Sequence, residues 1–194
     1  MNSRIYIGVP LAIFAIACFY FQCIILLFLA SSIASANDVC HMMSENVNLV
    51  IIIALSTISM LFHRIMLTLY TIDPGAVIGL ILITQASDVY QYIIGINFGV
   101  NKIGWISKQK TYEGYIGGFC LTLLTFGWYY GYRSTAIIYL AGILGGLLSS
   151  LLKRTIGLKN YSNLLGEHGG WLDRIDSVIL PCFIYEQISF AHLR

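Results

Sequence analysis

Long apolar runs separated by short polar stretches make up the chain. The first runs from Ile5 to about Ala36. A membrane helix needs about 20 apolar residues, so this run predicts either one long tilted helix or a tight hairpin of two short ones. Pro10 and Gln22 favour the hairpin. The run far exceeds a signal-peptide core of roughly 7–15 residues, and no cleavage is expected. Asn37 to Asn46 reads as a polar connection, and Val47 to Tyr70 as the next span, interrupted by His63 and Arg64. Asp73-Pro74-Gly75 is a turn signal. Gly75 to about Gly95 forms another span, followed by a polar, lysine-bearing loop from Asn101 to Glu113. Tyr115–Tyr130 and Ala136–Leu152 predict a helical hairpin joined at Gly131 to Ser134. Lys153 to Asp176 is the longest polar stretch, and a last span covers about Ser177 to Phe190. The expected fold is all-α: a polytopic membrane helical bundle of six or seven transmembrane helices, forming a single domain over residues 1–194.

Composition agrees. Hydrophobic residues make up 58% of the 194 and charged residues only 10%, against roughly 25% charged in a soluble domain. So few charges cannot cover a water-facing surface at this length, whereas lipid needs no polar exterior. The five cysteines, Cys18, Cys23, Cys40, Cys120 and Cys182, form no CxxC pair and are expected to be small buried hydrophobes.

The net charge of +2 gives no reason to expect a nucleic-acid partner, but the placement of the charges is informative. Lys102, Lys108 and Lys110 share one loop, and Lys153, Arg154, Lys159 and Arg174 share another. The helical hairpin between them should return both loops to one side, which the positive-inside rule makes cytoplasmic. Topology alone explains such a pattern. Two converging basic loops can also hold a polyanion.

Three groups of residues carry candidate chemistry. Thr84, Asp88 and Gln91 fall at helical spacing with Ser87 beside them, and a carboxylate in a membrane helix marks a functional site by default. In the segment Ser107 to Gly118, Lys110 supplies a point charge for phosphate and the glycines allow close backbone approach. The third group starts at Ser150, Lys153 and Arg154. It continues through Lys159 and Asn160 to Gly166-Glu167-His168-Gly169-Gly170-Trp171-Leu172-Asp173-Arg174-Ile175-Asp176. Asp173 and Asp176 are three apart and share a helical face, a pair suited to a divalent cation that bridges phosphate oxygens. The surrounding cations can neutralise a triphosphate. An interfacial helix with acids at its N-terminus would also explain the carboxylates. It would leave the histidine, the twin glycines and the basic cluster unexplained.

These residues resemble the signature of the phosphatidate cytidylyltransferase (CDP-diacylglycerol synthase) family. Its C-terminal pattern, S-x-x-K-R, then K-D, then H-G-G-x-x-D-R-x-D, is matched by Ser150, Lys153, Arg154, Lys159, His168, Gly169, Gly170, Asp173, Arg174 and Asp176. Upstream, Asp88, Tyr92, Gly95, Phe98, Gly99, Ser107, Lys110, Thr111, Glu113, Gly114, Gly117 and Gly118 fit a second stretch, so the resemblance covers about residues 87–176. The chain departs from the pattern at acidic and basic positions. Gly146, Ser149 and Asn160 stand where the family has carboxylates, and Ile96 and Val100 where it has cations. Gly142, Gly146 and Ser150 form a stripe of small residues suited to close helix packing.

The resemblance implies a membrane enzyme that transfers a cytidylyl group from CTP to phosphatidic acid, giving CDP-diacylglycerol and pyrophosphate. It implies Asp173, Asp176 and Asp88 as ligands of Mg²⁺, with the substitution at Gly146 bearing on a second cation. Lys110, Lys153, Arg154, His168, Asp173 and Arg174 are the expected catalytic group. Substrate contacts are expected from Lys110, Thr111, Glu113, Ser150, Lys153, Arg154, Lys159, Gly169, Gly170 and Arg174. The alternatives are a catalytically impaired relative serving as a binding or scaffold subunit, and an enzyme using CTP on another lipid. A homodimer is compatible with the sequence, which does not specify it.

Overall fold

The computed structural model describes residues 24–103, 110–166 and 169–192. The hairpin expected near Pro10 and Gln22 lies outside them, as do Ser107, Lys108 and His168. The described residues form six helices: α1 (Ile24–Ser44), α2 (Leu49–Ile72), α3 (Pro74–Phe98), α4 (Tyr112–Tyr130), α5 (Tyr132–Thr155) and α6 (Leu172–His192). Four of them, α1, α2, α3 and α5, are long and apolar enough to cross a membrane. Their outer faces carry exposed apolar side chains such as Val50, Met60, Val89, Ile96, Leu140 and Leu148, as lipid contact requires. The all-α class is as expected, and the chain is an integral membrane protein. Four described helices qualify as spans where six or seven were expected over the whole chain.

Helix boundaries differ from the sequence expectation where polar residues continue a helix. Asn37 and Asp38 belong to α1, which runs on to Ser44, so the expected connection shrinks to a few residues. The polarity there reflects a buried partner for Asp38 rather than a helix end. Asp73 is the N-cap of α3: its carboxylate accepts from the N–H groups of Gly75 and Ala76, with Pro74 in the first turn. The α4–α5 connection is the single residue Gly131 at φ 85° rather than Gly131–Ser134. Cys182 is buried as expected, but Cys40 and Cys120 are exposed on helix faces.

The chain divides into two compact units. The first joins the chain up to Leu67 with Lys153–Ile175; the second is Thr68–Leu152 with the chain from Asp176 onward. In the second, α3 and α4 pack through glycines. A Cβ on Gly114 would lie 2.7 Å from the Gln91 carbonyl, and one on Gly118 would lie 2.8 Å from the Gln91 side chain. Tyr139 locks the packing by donating its hydroxyl to the Tyr115 carbonyl at 2.6 Å. On the other side of α5, a Cβ on Gly142 would sit 3.4 Å from the Ser177 carbonyl. Pro181, inside α6, leaves that carbonyl without its helical donor. One on Gly145 would meet the Asp176 carbonyl at 2.9 Å. Close approach to α6 therefore runs through Gly142 and Gly145. Gly146, expected in the same stripe, faces Lys110 instead.

Candidate functional site

The loop from Thr155 to Leu172 in the first unit is built around two carboxylates. Asp173, in the first turn of α6, accepts from the backbone N–H groups of Tyr161 and Gly170, both at 2.9 Å. Its other oxygen takes the Lys153 ammonium at 2.6 Å, with the two side chains only 5% and 11% exposed. The same ammonium lies 5.1 Å from the centre of the Tyr161 ring. Lys153 and Asp173, assigned from sequence to phosphate and metal, are thus brought together as a nearly buried ion pair that shapes the loop.

The second carboxylate was not singled out from sequence. Asp38 of α1 is fully buried. It accepts from the Ser162 hydroxyl and from the Leu172 N–H, each at 2.6 Å, and so caps α6 from a different helix. The Ser162 oxygen accepts in turn from Leu164 N–H. The signal available was an aspartate within reach of an apolar run, the same default that singled out Asp88. It was masked by Asn37, Ser44 and Asn46, which made the segment look like a connection.

The twin glycines fit between these groups. Gly169 sits at φ 80°, and a Cβ there would be 2.9 Å from Asp173 Oδ2. On Gly170 it would be 2.6 Å from Asp38 Oδ2 and 2.8 Å from the Ser162 hydroxyl. Their missing side chains make room for the protein's own carboxylates. A third tie descends into the helices. The Trp171 indole N–H donates to Ser31 Oγ at 2.7 Å, which lies 2.6 Å from His63 Nε2. His63 Nδ1 is 2.7 Å from the Ser59 carbonyl. A carbonyl only accepts, so Nδ1 carries the proton and Nε2 is left to accept from Ser31. His63 thereby earns its place in an apolar helix as a relay in this chain.

The remaining residues of this loop are placed at its surface. Arg154 is exposed and donates to the Leu158 carbonyl at 3.2 Å. Lys159 and Arg174 are exposed. Lys159 lines a polar cavity of about 480 Å³ together with His41, Glu45, Asn160 and Asn163.

In the second unit, Thr111 N-caps α4 by accepting from Gly114 N–H. Glu113 accepts from both the backbone and side-chain nitrogens of Asn101, fastening the preceding loop. Its own backbone N–H and Asn101 hold its carboxyl below the ordinary value of 4.5. Gly114, Gly117 and Gly118, expected in a phosphate-binding loop, are helical and serve the α3–α4 contact. Lys110 lies 5.4 Å from the centre of the Tyr115 ring. Thr84 and Ser87 are buried and donate to carbonyls of their own helix at 2.8 and 2.7 Å. Asp88, Ser150 and Asp176 are partly buried in this unit.

Among the described residues no three His, Cys, Asp or Glu side chains converge. Mg²⁺ retains several waters and takes only one or two protein carboxylates. Asp173 is a carboxylate of the kind such an ion takes, but both its oxygens already have partners: Lys153 on one, and the N–H groups of Tyr161 and Gly170 on the other.

The sequence profile of the Cytidylyltransferase family matches residues 2–190. The chain belongs to the cytidylyltransferase family. The phosphatidate cytidylyltransferase of Aquifex aeolicus is 35% identical over 113 residues, 54% of this chain and 43% of the relative. That of Pseudomonas aeruginosa is 31% identical over 147 residues, 66% of this chain and 52% of the relative. The protein YnbB of Escherichia coli, described as uncharacterized, is 36% identical over 137 residues, 62% of this chain and 46% of the relative. The chain thus spans about half the length of the curated relatives it matches.

Proposed function

We propose that this cytidylyltransferase-family protein uses CTP and phosphatidic acid to make CDP-diacylglycerol and pyrophosphate at the cytoplasmic face of a membrane. The observation that carries the proposal is the family match from residue 2 to 190, supported by relatives that bear the phosphatidate cytidylyltransferase name. In the proposed reaction a phosphate oxygen of the lipid attacks the α-phosphorus of CTP. A new P–O–P bond forms, the bond to the β-phosphate breaks, and pyrophosphate leaves. The nucleophile is already anionic, so the barrier is charge repulsion and alignment rather than proton removal. Lys110, Arg154, Lys159 and Arg174 are the cations proposed to offset that repulsion, with Lys153 joining them if it exchanges Asp173 for phosphate. Asp173 and Asp176 would hold Mg²⁺, with Asp88 as a further carboxylate, and the ion would neutralise phosphate charge.

A second function is favoured by one feature of the chain: no carboxylate stands at positions 146, 149 and 160. It is a family relative that binds nucleotide and lipid without turnover. Purified protein in detergent, given labelled CTP, phosphatidate and Mg²⁺, separates the two. Lipid-linked label that disappears in a folded Asp176→Asn variant supports the enzyme. Retained CTP binding without lipid-linked label supports the binding subunit. Absence of both overturns both.

A further inference from the structure

We propose that the polar cavity between the end of α1 and the loop after α5 is where the pyrimidine of the nucleotide is read, with Glu45 selecting cytosine over uracil. The inference rests on the CTP-using function proposed above. It stands on the chemistry of the cavity, all of which lies in the first unit.

The cavity measures about 480 Å³, which is large for a lone cation and within the range of small-molecule sites. His41 and Glu45 enter it from consecutive turns at the end of α1, where the Glu45 N–H still bonds the His41 carbonyl at 3.1 Å. Leu158, Lys159, Asn160 and Asn163 enter it from the loop. Gly166 N–H donates to the Asn163 carbonyl at 2.9 Å, which ties these two lining residues together. His41 Nδ1 is buried with no hydrogen-bond partner among the described residues.

The balance of groups identifies the ligand. The lining holds one ammonium, one carboxylate, one imidazole and two neutral amides, with no cluster of cations to hold a triphosphate. A neutral ligand rich in both donors and acceptors suits this lining. Cytosine offers an exocyclic amine that donates, and N3 and O2 that accept. Glu45 supplies the acceptor for the amine, a pairing carboxylates make with cytosine elsewhere. The amides of Asn160 and Asn163 supply donors for N3 and O2. Lys159 remains for the phosphate the nucleoside carries. Uracil reverses the pattern at C4 and N3, placing a carbonyl oxygen against the carboxylate. Asn160 fits here better than an aspartate would, because an amide can donate to the ring where a carboxylate cannot.

The test is equilibrium binding of CTP, UTP and inorganic tripolyphosphate to the full chain in detergent, for the native protein and for Glu45→Gln and Asn163→Ala. Glu45 is exposed at a helix end, and thermal unfolding checks that both variants fold. The native protein is expected to prefer CTP. Glu45→Gln should narrow the CTP-to-UTP ratio about tenfold, the worth of a charge-assisted hydrogen bond, with tripolyphosphate binding unchanged. A CTP preference that survives in both variants overturns the cavity as the base reader and leaves the proposed reaction standing. Equal affinity of the native protein for CTP and UTP also overturns it. A variant that loses tripolyphosphate as steeply as CTP shows the cavity holding phosphate, again against the inference. Failure of the native protein to bind any of the three overturns the proposed function as well.

Discussion

Asp38 accepts a hydrogen bond from the Leu172 backbone N–H across 134 positions of sequence, at 2.6 Å and without solvent access. A helix leaves its first N–H groups unpaired, and here a carboxylate from another helix satisfies one of them. The same carboxylate holds Ser162, so the loop that carries Lys159, Asn160 and the twin glycines is tied to α1 at two points. Asp38→Ala removes both acceptors and leaves a buried hydroxyl and a buried N–H unpaired. The expected loss is roughly 2–4 kcal/mol, seen as a clear fall in thermal unfolding temperature in detergent. Asp38→Asn keeps one acceptor for Leu172 and can donate to Ser162 Oγ, so it should recover more than half of that loss. Equal stability of all three proteins would show that the tie is unimportant.

Lys153 and Asp173 form a pair with little solvent access. Removing one partner of such a pair leaves an uncompensated charge and costs about 3–5 kcal/mol, whereas removing both costs far less. Lys153→Met and Asp173→Asn should each destabilise the protein, and the double variant should be more stable than the sum of the two losses predicts. Thermal or denaturant unfolding of the four proteins measures the coupling. Simple additivity would argue that the two side chains act separately. The result bears on function, since an inactive Asp173→Ala protein would then reflect a lost loop as much as a lost ligand.

The sequence made much of the site legible, though not the use of each residue. Apolar runs marked the helices, because lipid demands them, and the cluster from Lys153 to Asp176 stood out against so apolar a chain. What periodicity cannot convey is which partner a polar residue will meet. Asp38 lies next to Asn37 and near Ser44, and only its long-range bonds to Ser162 and Leu172 reveal a buried anchor. His63 looked like an interruption of its span until Ser31 and Trp171 were found beside it. Gly114 and Gly118 have the local appearance of a phosphate loop, and the fold uses them for contact with Gln91.

The glycines of the loop differ in what a methyl group would meet, which makes them separable by experiment. Gly157 at φ 77° has nothing within 4 Å of an added Cβ. Gly157→Ala should therefore cost only the left-handed backbone term, about 1–2 kcal/mol. Gly169→Ala adds to that term a 2.9 Å approach to Asp173, and Gly170→Ala drives a Cβ to within 2.6 Å of Asp38. Both should lower the unfolding temperature well beyond the Gly157 variant. An order in which Gly157→Ala is the most damaging would contradict the packing described for the loop.

Gly146 is the position where an acidic side chain is most easily restored. A Cβ there would have the Lys110 ammonium as its nearest neighbour at 4.0 Å. Gly146→Asp therefore places a carboxylate within reach of a cation, and replaces a helical glycine, which itself costs about 1 kcal/mol relative to alanine. The variant should fold with unchanged or slightly raised stability, and any gain should shrink with added salt. Gly145→Asp, one residue earlier, would force its Cβ to 2.9 Å from the Asp176 carbonyl and should be strongly destabilising. Measured side by side in unfolding and in lipid-linked label from CTP, the pair separates two causes of low turnover. A stable Gly146→Asp protein with much higher turnover would locate the limitation at the missing carboxylate. A stable Gly146→Asp protein with unchanged turnover would remove position 146 from the chemistry and leave Ser149 as the next position to restore.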